Sequence, residues 1–257
     1  QLCIDHNKKV VKKFAEFWKI KNYSSSLDYL NKFNIDLVII AVNTSMHYEV
    51  LNKVNHFNIK NIVCEKPFCS NYSEAKKIYK VLKKSNKNVY VNYTRVWNDS
   101  FCNLKNMYEA KKLGVIKGGS VYYMNGVFNN GSHGLYLLSF LLGKLSLKSL
   151  INFSNKNKIK NDLDADFICE TKTKKEIYFL TNKNTSISFF QIILFFEKAL
   201  VEITDMGTYY KVYLLNGNKK SLFKIFEDKI NWKKQFNNFF DEIYNDISNK
   251  VLSKTNL

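Results

Sequence analysis

The run Asp36–Val42, DLVIIAV, constrains the fold more than any other stretch of this chain. After the acid, every residue to Val42 is apolar, with no polar alternation. A strand with one face in water alternates; a strand buried on both faces does not. The run therefore belongs inside a parallel sheet covered by helices. A second such strand, Ile62–Cys64, stops abruptly in Glu65, Lys66 and Pro67, the chain's one proline. A buried strand that ends in charges sets a lysine at the carboxyl edge of a sheet, where open α/β sheets bind ligands. Proline fixes the backbone there and cannot continue the ladder.

The surrounding grammar agrees. A short strand Leu2–Asp5 leads to a helix over Lys8–Trp18 with apolar Val10, Val11, Phe14 and Phe17. Serines open a second helix, Ser24–Phe33, with Leu27, Leu30 and Phe33 at helical spacing. Helices at Ser45–Phe57 and Ser73–Ser85 alternate with strands Ile62–Cys64 and Val89–Tyr93. This is the succession of βα units on a parallel sheet.

After Trp97 the pattern changes. A helix over Phe101–Lys112 ends at Gly114, a strand follows at Ser120–Met124, and Ser132–Leu142 is an apolar helix stopped by Gly143. Strands are then expected at Leu145–Phe153, Asp166–Thr171, Glu176–Thr181, Ser186–Phe195, Ala199–Thr204 and Tyr209–Leu214. Turns at Asn182–Asn184 and Asn216–Asn218 separate some of them, and an amphipathic helix covers Trp232–Ile247. The reading is two domains: 1–97, and an α+β domain with an open, mostly antiparallel sheet over 98–257.

Composition narrows the function. At 46% hydrophobic and 15% aromatic residues, 257 residues bury a full core, which excludes wholesale disorder. No apolar run reaches the ~20 residues of a spanning helix, and QLCIDHNKK lacks signal-peptide architecture. Neither a membrane nor a metal is expected. Cys3, Cys64, Cys69, Cys102 and Cys169 show no metal-ligand spacing and read as reduced thiols in a cytoplasmic protein. The net charge of +18 comes from lysines scattered along the chain without an arginine-rich stripe, so no nucleic-acid partner is expected. The charge would steer anionic substrates such as nucleotides.

Four motifs occur in order: IIAVNTSMH (Ile39–His47), VCEKP (Val63–Pro67), VNYTRVW (Val91–Trp97) and NNGSH (Asn129–His133). Together they resemble the Gfo/Idh/MocA oxidoreductases, NAD(P)-dependent sugar and sugar-nucleotide dehydrogenases. That family has a Rossmann domain followed by an open-sheet domain. The VNYTR and NNGSH forms are similar to members that act in surface-polysaccharide synthesis.

The resemblance implies roles residue by residue. Lys66 matches the catalytic-site lysine that binds the substrate hydroxyl; the competing reading is a solvated strand-end lysine. His133 matches the general acid/base, a task suited to imidazole; the alternative is a satisfied histidine at a helix start. Asn129 stands where many relatives carry aspartate and would orient substrate, since an amide takes no proton. Tyr136 departs from another acid. Asp5 would bind the adenosine ribose hydroxyls, favouring NAD over NADP. Asn43, Thr44 and His47 would contact the cofactor, unless His47 only caps its helix, and Glu65 would lie near the nicotinamide ribose. Arg95 and Trp97 would line the substrate cleft, with Arg95 alternatively a structural ion-pair partner. The implied partners are a sugar or sugar nucleotide and further copies of the chain, as a homodimer or homotetramer through the C-terminal sheet. A non-catalytic relative acting in ligand binding or oligomerisation is the competing function.

Family members begin with a strand, a glycine-rich turn and a helix that hold the pyrophosphate. The nine glycines here begin at Gly114, and residue 1 stands at what would be the second strand. The expectation is an N-terminally truncated parallel sheet, short of one βα unit, with unpaired edges or a closed-up sheet. NAD binding would be weak or lost.

Overall fold

The computed structural model describes residues 1–154, 162–181, 189–216, 219–229 and 231–249. The chain forms two compact units: Gln1–Asn92 with the end of the last helix from Asp246, and Tyr93–Asn245. The sequence reading divides the chain after Trp97; the contacts divide it between Asn92 and Tyr93 and return the end of the last helix to the first unit.

In the first unit, strand and helix alternate as expected: β1 (Leu2–Ile4), α1 (Lys8–Phe17), β2 (Asn22–Ser24), β3 (Leu37–Ile40), α2 (Thr44–Asn55), β4 (Asn61–Cys64), α3 (Tyr72–Lys84) and β5 (Asn88–Val91). All pairings are parallel, in two sheets: β1–β2, and β3–β4–β5 with β4 central. No ladder joins the two sheets among the described residues. Two of the helices, α1 and α3, begin where side chains take the free N–H groups: Asn7 accepts from Lys9 and Val10, and Asn71 accepts from Glu74.

One element differs from expectation. Ser24 does not open a helix; it closes β2, opposite Ile4. Only Leu27–Lys32 coils, as a 3-10 helix capped by Ser26. The parallel ladder to β1 satisfies backbone groups that a serine-rich helix start would leave to solvent, so tertiary pairing overrides local propensity.

The core of this unit lies around β4. Ile62, Val63, Cys64, Leu51 and Val54 have no exposed surface, and Ile78 and Leu82 pack with them. Burying each such aliphatic side chain contributes about 1.5–3 kcal/mol. The margins are less well covered: Ile39 on β3 is 49% exposed, and Val10, Phe14, Phe17 and Trp18 on α1 are exposed too.

The second unit begins with a 3-10 turn, Thr94–Trp97, then α4 (Asp99–Glu109) and β6 (Ile116–Tyr123). A single π-turn, Val127–Gly131, leads into α5 (Ser132–Leu142). There follow β7 (Ser146–Ser154), β8 (Asp164–Glu170), β9 (Glu176–Thr181), β10 (Gln191–Phe196), β11 (Ala199–Thr204), β12 (Tyr209–Asn216), β13 (Lys219–Lys229) and α6 (Trp232–Asn249). The eight strands make one sheet in the order β13-β12-β11-β10-β6-β9-β8-β7. Every neighbouring pair is antiparallel except β6–β9. The expected turn at Asn182–Asn184, Ser186–Ser188 of the expected strand, and Gly217–Asn218 lie outside the described residues.

One face of this sheet carries the core. Val121, Phe179, Ile192, Leu194 and Val201 point into it with Leu137, Leu138 and Leu141 of α5. Gly134 permits the close approach: a Cβ there would stand 2.8 Å from Val121 Cγ1. Strand β13 was not legible because KKSLFKIFEDK is largely polar and its described side chains are mostly exposed. It forms because β12 offers it an edge.

Candidate functional site

The first unit gathers the expected cofactor residues at the carboxyl ends of its strands. Beyond β3, β4 and β5 the parallel pattern runs one residue further: Glu65 N–H donates to Ile40 O at 2.9 Å, and Asn92 N–H to Cys64 O at 2.8 Å. The Glu65 carboxylate also accepts a bond from the Asn92 side-chain amide. Backbone and side chain thus both fix Glu65, and Lys66 follows it into a cis bond with Pro67. Asn43 is the cap residue of α2, yet no side chain caps that helix.

His47 is placed differently from a ligand contact. It has no exposed surface. Its ring nitrogens face two backbone carbonyls, Nδ1 at 2.9 Å from Pro67 O and Nε2 at 3.0 Å from Val42 O. The ring lies between the segment leaving β3 and the Lys66–Pro67 turn, and its one N–H, in the neutral form, donates to one of these carbonyls. Cys64 Sγ lies 3.6 Å from Nδ1. Burial pushes the Cys64 thiol well above its usual range, with Cys69 and Glu65 adding to the rise, so it is held as an unreactive thiol. At the end of β1, Asp5 accepts from the Asn7 N–H at 2.8 Å and lies beside His6.

NAD is the cofactor implied for these residues. Asp5, Asn43, Thr44, Glu65 and Lys66 offer the polar groups suited to its ribose and nicotinamide ends. At the start of α1 the N–H groups of Lys9 and Val10 are already taken by the Asn7 side chain, so they are not offered to an anion.

The second unit builds its own cluster at the start of α5. Tyr93 stacks on Tyr136 with centroids 4.5 Å apart and planes at 18°, and meets the His133 ring edge-on at 5.7 Å. Burial pushes Tyr136 up to about 12, with Tyr93 adding to the rise. It raises Tyr93 as well, opposed by a hydrogen bond with Ser132. These phenols stay neutral and can donate hydrogen bonds at ordinary pH. The Asn129 and Phe128 N–H groups are held by the Asp162 carboxylate.

Arg95 is buried and Trp97 half-buried. Arg95 is 9% exposed; its guanidinium lies 4.8 Å over the Phe190 ring and donates to Met206 O at 3.3 Å. Burial lowers it to about 10, which leaves it charged at neutral pH. The Trp97 ring packs 5.9 Å from Phe239, and its carbonyl accepts from Asn238. Sequence reasoning did not single out Tyr93, Asn92 or Asp162. Tyr93 and Asn92 sit inside the VNYTRVW motif, which was a signal in hand; Asp162 carried none. Among the described residues no group of three or more His, Cys, Asp or Glu could hold a metal ion, and no helix is long and apolar enough to cross a membrane.

The family model matched lies in the first unit, while the similar solved structures span nearly the whole chain. Residues 2–93 match the family model described as an oxidoreductase family, NAD-binding Rossmann fold. An uncharacterized oxidoreductase of Schizosaccharomyces pombe is 32% identical over 102 residues, 40% of this chain and 27% of the relative. The match thus spans about a quarter of that relative's length. Among solved structures, levoglucosan dehydrogenase in complex with NADH and levoglucosan is similar with a TM-score of 0.84 at 12% identity, covering 100% of this chain and 82% of that one. The WlbA dehydrogenase of Bordetella pertussis, in complex with NADH and UDP-GlcNAcA, gives 0.76 at 14% identity, covering 98% and 81%. At such identities the likeness establishes a shared fold, a Rossmann-like parallel sheet followed by a larger mixed-sheet domain. Over residues 2–93 the chain is thus similar to the NAD-binding Rossmann domain of the Gfo/Idh/MocA oxidoreductases.

Proposed function

We propose that the chain belongs to a sugar or sugar-nucleotide dehydrogenase that moves a hydride between a carbinol carbon and a nicotinamide cofactor. The observation that carries the reading is the Glu65–Lys66 turn at the carboxyl end of the central strand β4, the edge at which open α/β sheets bind ligands. Levoglucosan and UDP-GlcNAcA in the two similar structures support a sugar-type substrate.

Bound nicotinamide would supply the hydride acceptor. The chain's own residues handle the rest. The Lys66 ammonium donates a hydrogen bond to the carbinol oxygen and favours its loss of a proton. The imidazole of His133, in the second unit, is a group suited to take and return a proton. Asn129 orients the sugar through its amide. Tyr93, itself stacked on Tyr136, packs edge-on against the His133 ring.

The test is NADH formation at 340 nm with NAD and a panel of UDP- and TDP-sugars and free sugars. Turnover that falls by about 10²-fold or more in Lys66→Met and His133→Ala is expected. Turnover unchanged in both variants, or none with any substrate, would sink the reading.

Self-association would proceed through the open sheet of the second unit, where Leu147, Leu150, Phe153, Tyr178 and Phe195 are exposed. Sedimentation at micromolar concentration checks this; a monomer there counts against it. A cytoplasmic location is proposed from the reduced thiols.

A further inference from the structure

We propose that Asp162 is a positioning residue for the Asn129–His133 end of the site; this rests on the reading of those two side chains as substrate-facing. Asp162 is 7% exposed, an unusual place for an acid without a partner. Its partners are backbone N–H groups. Oδ1 accepts from Phe128 at 3.0 Å and from Leu163 at 2.9 Å, and Oδ2 accepts from Asn129 at 2.9 Å.

The adjoining residues extend the template. Val127 N–H donates to Leu163 O at 2.9 Å, and Gly126 N–H to Asp164 Oδ1 at 3.0 Å. Each N–H from Gly126 to Asn129 is thus bonded to the segment Asp162–Asp164. The next two, Asn130 and Gly131, both return to Gly126 O at 3.1 Å. The chain entering α5 is a π-turn, whose first N–H groups have no helical carbonyl to meet. The carboxylate supplies the acceptors that the helix cannot.

Two features make the arrangement demanding. Gly126 has φ +89°, and a Cβ there would stand 2.0 Å from Asp162 Oδ2, so a side chain and the carboxylate compete for one space. An amide in place of the acid presents one acceptor oxygen and one NH2 group, which would face an N–H donor. Asp162→Asn therefore keeps the volume and loses at least one of the three bonds that the carboxylate accepts. Ser132 carries the order onward by donating to Phe128 O at 2.6 Å, one residue before His133. Displacing the carboxylate should move Asn129 and His133 together and leave the sheet core in place.

The test compares the full chain with Asp162→Asn and Gly126→Ala by amide hydrogen exchange and by NMR of the histidine rings, with His133 assigned through His133→Gln. Both variants are expected to speed exchange at Phe128 and Asn129 by about tenfold or more while β8 and β9 exchange as before. Both should also shift the His133 ring signals and leave those of His47 unchanged. Unchanged exchange and unchanged His133 signals would overturn the proposal. Global unfolding of both variants would also overturn it, since Asp162 would then be a part of the core and not a local support. Where turnover is measured, Asp162→Asn lowers kcat with the KM for NAD unchanged. Absence of turnover in the unsubstituted chain would sink the dehydrogenase reading alone, and the exchange and ring signals would still decide the part played by Asp162.

Discussion

The two sheet systems of this molecule solve the same problem with different success. The eight-stranded sheet of the second unit covers one face with α5 and places Val121, Phe179 and Ile192 wholly out of water. The first unit divides five parallel strands between two sheets, and only β4 is buried at every residue. Parallel strands need cover on both faces, so dividing the sheet leaves apolar side chains at its margins. Ile39 on β3 is 49% exposed and Phe17 on α1 is 76% exposed, although both sit in apolar patterns. An antiparallel sheet tolerates an open face; a parallel one does not tolerate an open middle.

The largest expected effect tests that contrast directly. Phe179, stacked on Phe167 at 4.6 Å and wholly buried, should cost about 3–5 kcal/mol when changed to alanine. Ile39→Ala should cost about 1 kcal/mol or less, since half its surface is already in water. Urea unfolding of both variants gives the two numbers, and equal costs would break the comparison.

A middle-sized effect concerns a buried polar pair in the first unit. Tyr90 has no exposed surface and donates to the carboxylate of Asp246, itself 7% exposed, at 3.0 Å. Tyr90→Phe should cost about 1–3 kcal/mol in the same measurement, because a buried acid loses a donor. A neutral result would mean that Asp246 finds water in its place.

Alkaline stability sharpens the contrast chemically. Burial, with Glu74 adding, holds Cys69 of the first unit at about 12 against 9.0. Burial likewise holds Tyr136 of the second at about 12 against 10.0. An acid whose folded pKa is raised keeps its proton when folded and releases it when unfolded. Stability should therefore be steady below about pH 8 and fall as pH rises from about 9 to 12. Cys69→Ala and Tyr136→Phe should each flatten part of that fall in melting curves taken across the range.

The smallest effect belongs to the surface. Lys53 and Glu49 pair at 2.6 Å one helical turn apart, both about half exposed. Lys53→Ala should change stability by no more than about 0.5 kcal/mol. A larger loss would mean that α2 depends on that pair for its place.

Much of this was legible in residue order because burial leaves a local trace. DLVIIAV and IVCEKP announced β3, β4 and the turn that carries Lys66, since an unbroken apolar run has few other places to go. The helix SHGLYLLSFLL announced α5, and with it the place of His133. Side chains whose role is set by distant partners left no such trace. The His47 ring lies near the carbonyls of Val42 and Pro67, the second of them twenty residues away. Arg95 lies over Phe190, which is far from it in sequence.

The sequence by itself determined the kinds of element, their order along most of the chain and the identity of the polar residues at strand ends. These follow from periodicity, capping and composition, all of which act over a few neighbouring residues. Only the tertiary structure decided that β6 lies between β9 and β10, that Ser24 closes a strand, and that Asp162 organises the turn before α5. Each of these depends on a backbone edge or a set of N–H groups offered by chain far away in sequence. Hydrogen-bond pairing over such separations carries no local signature, and so it becomes visible only when the chain is folded.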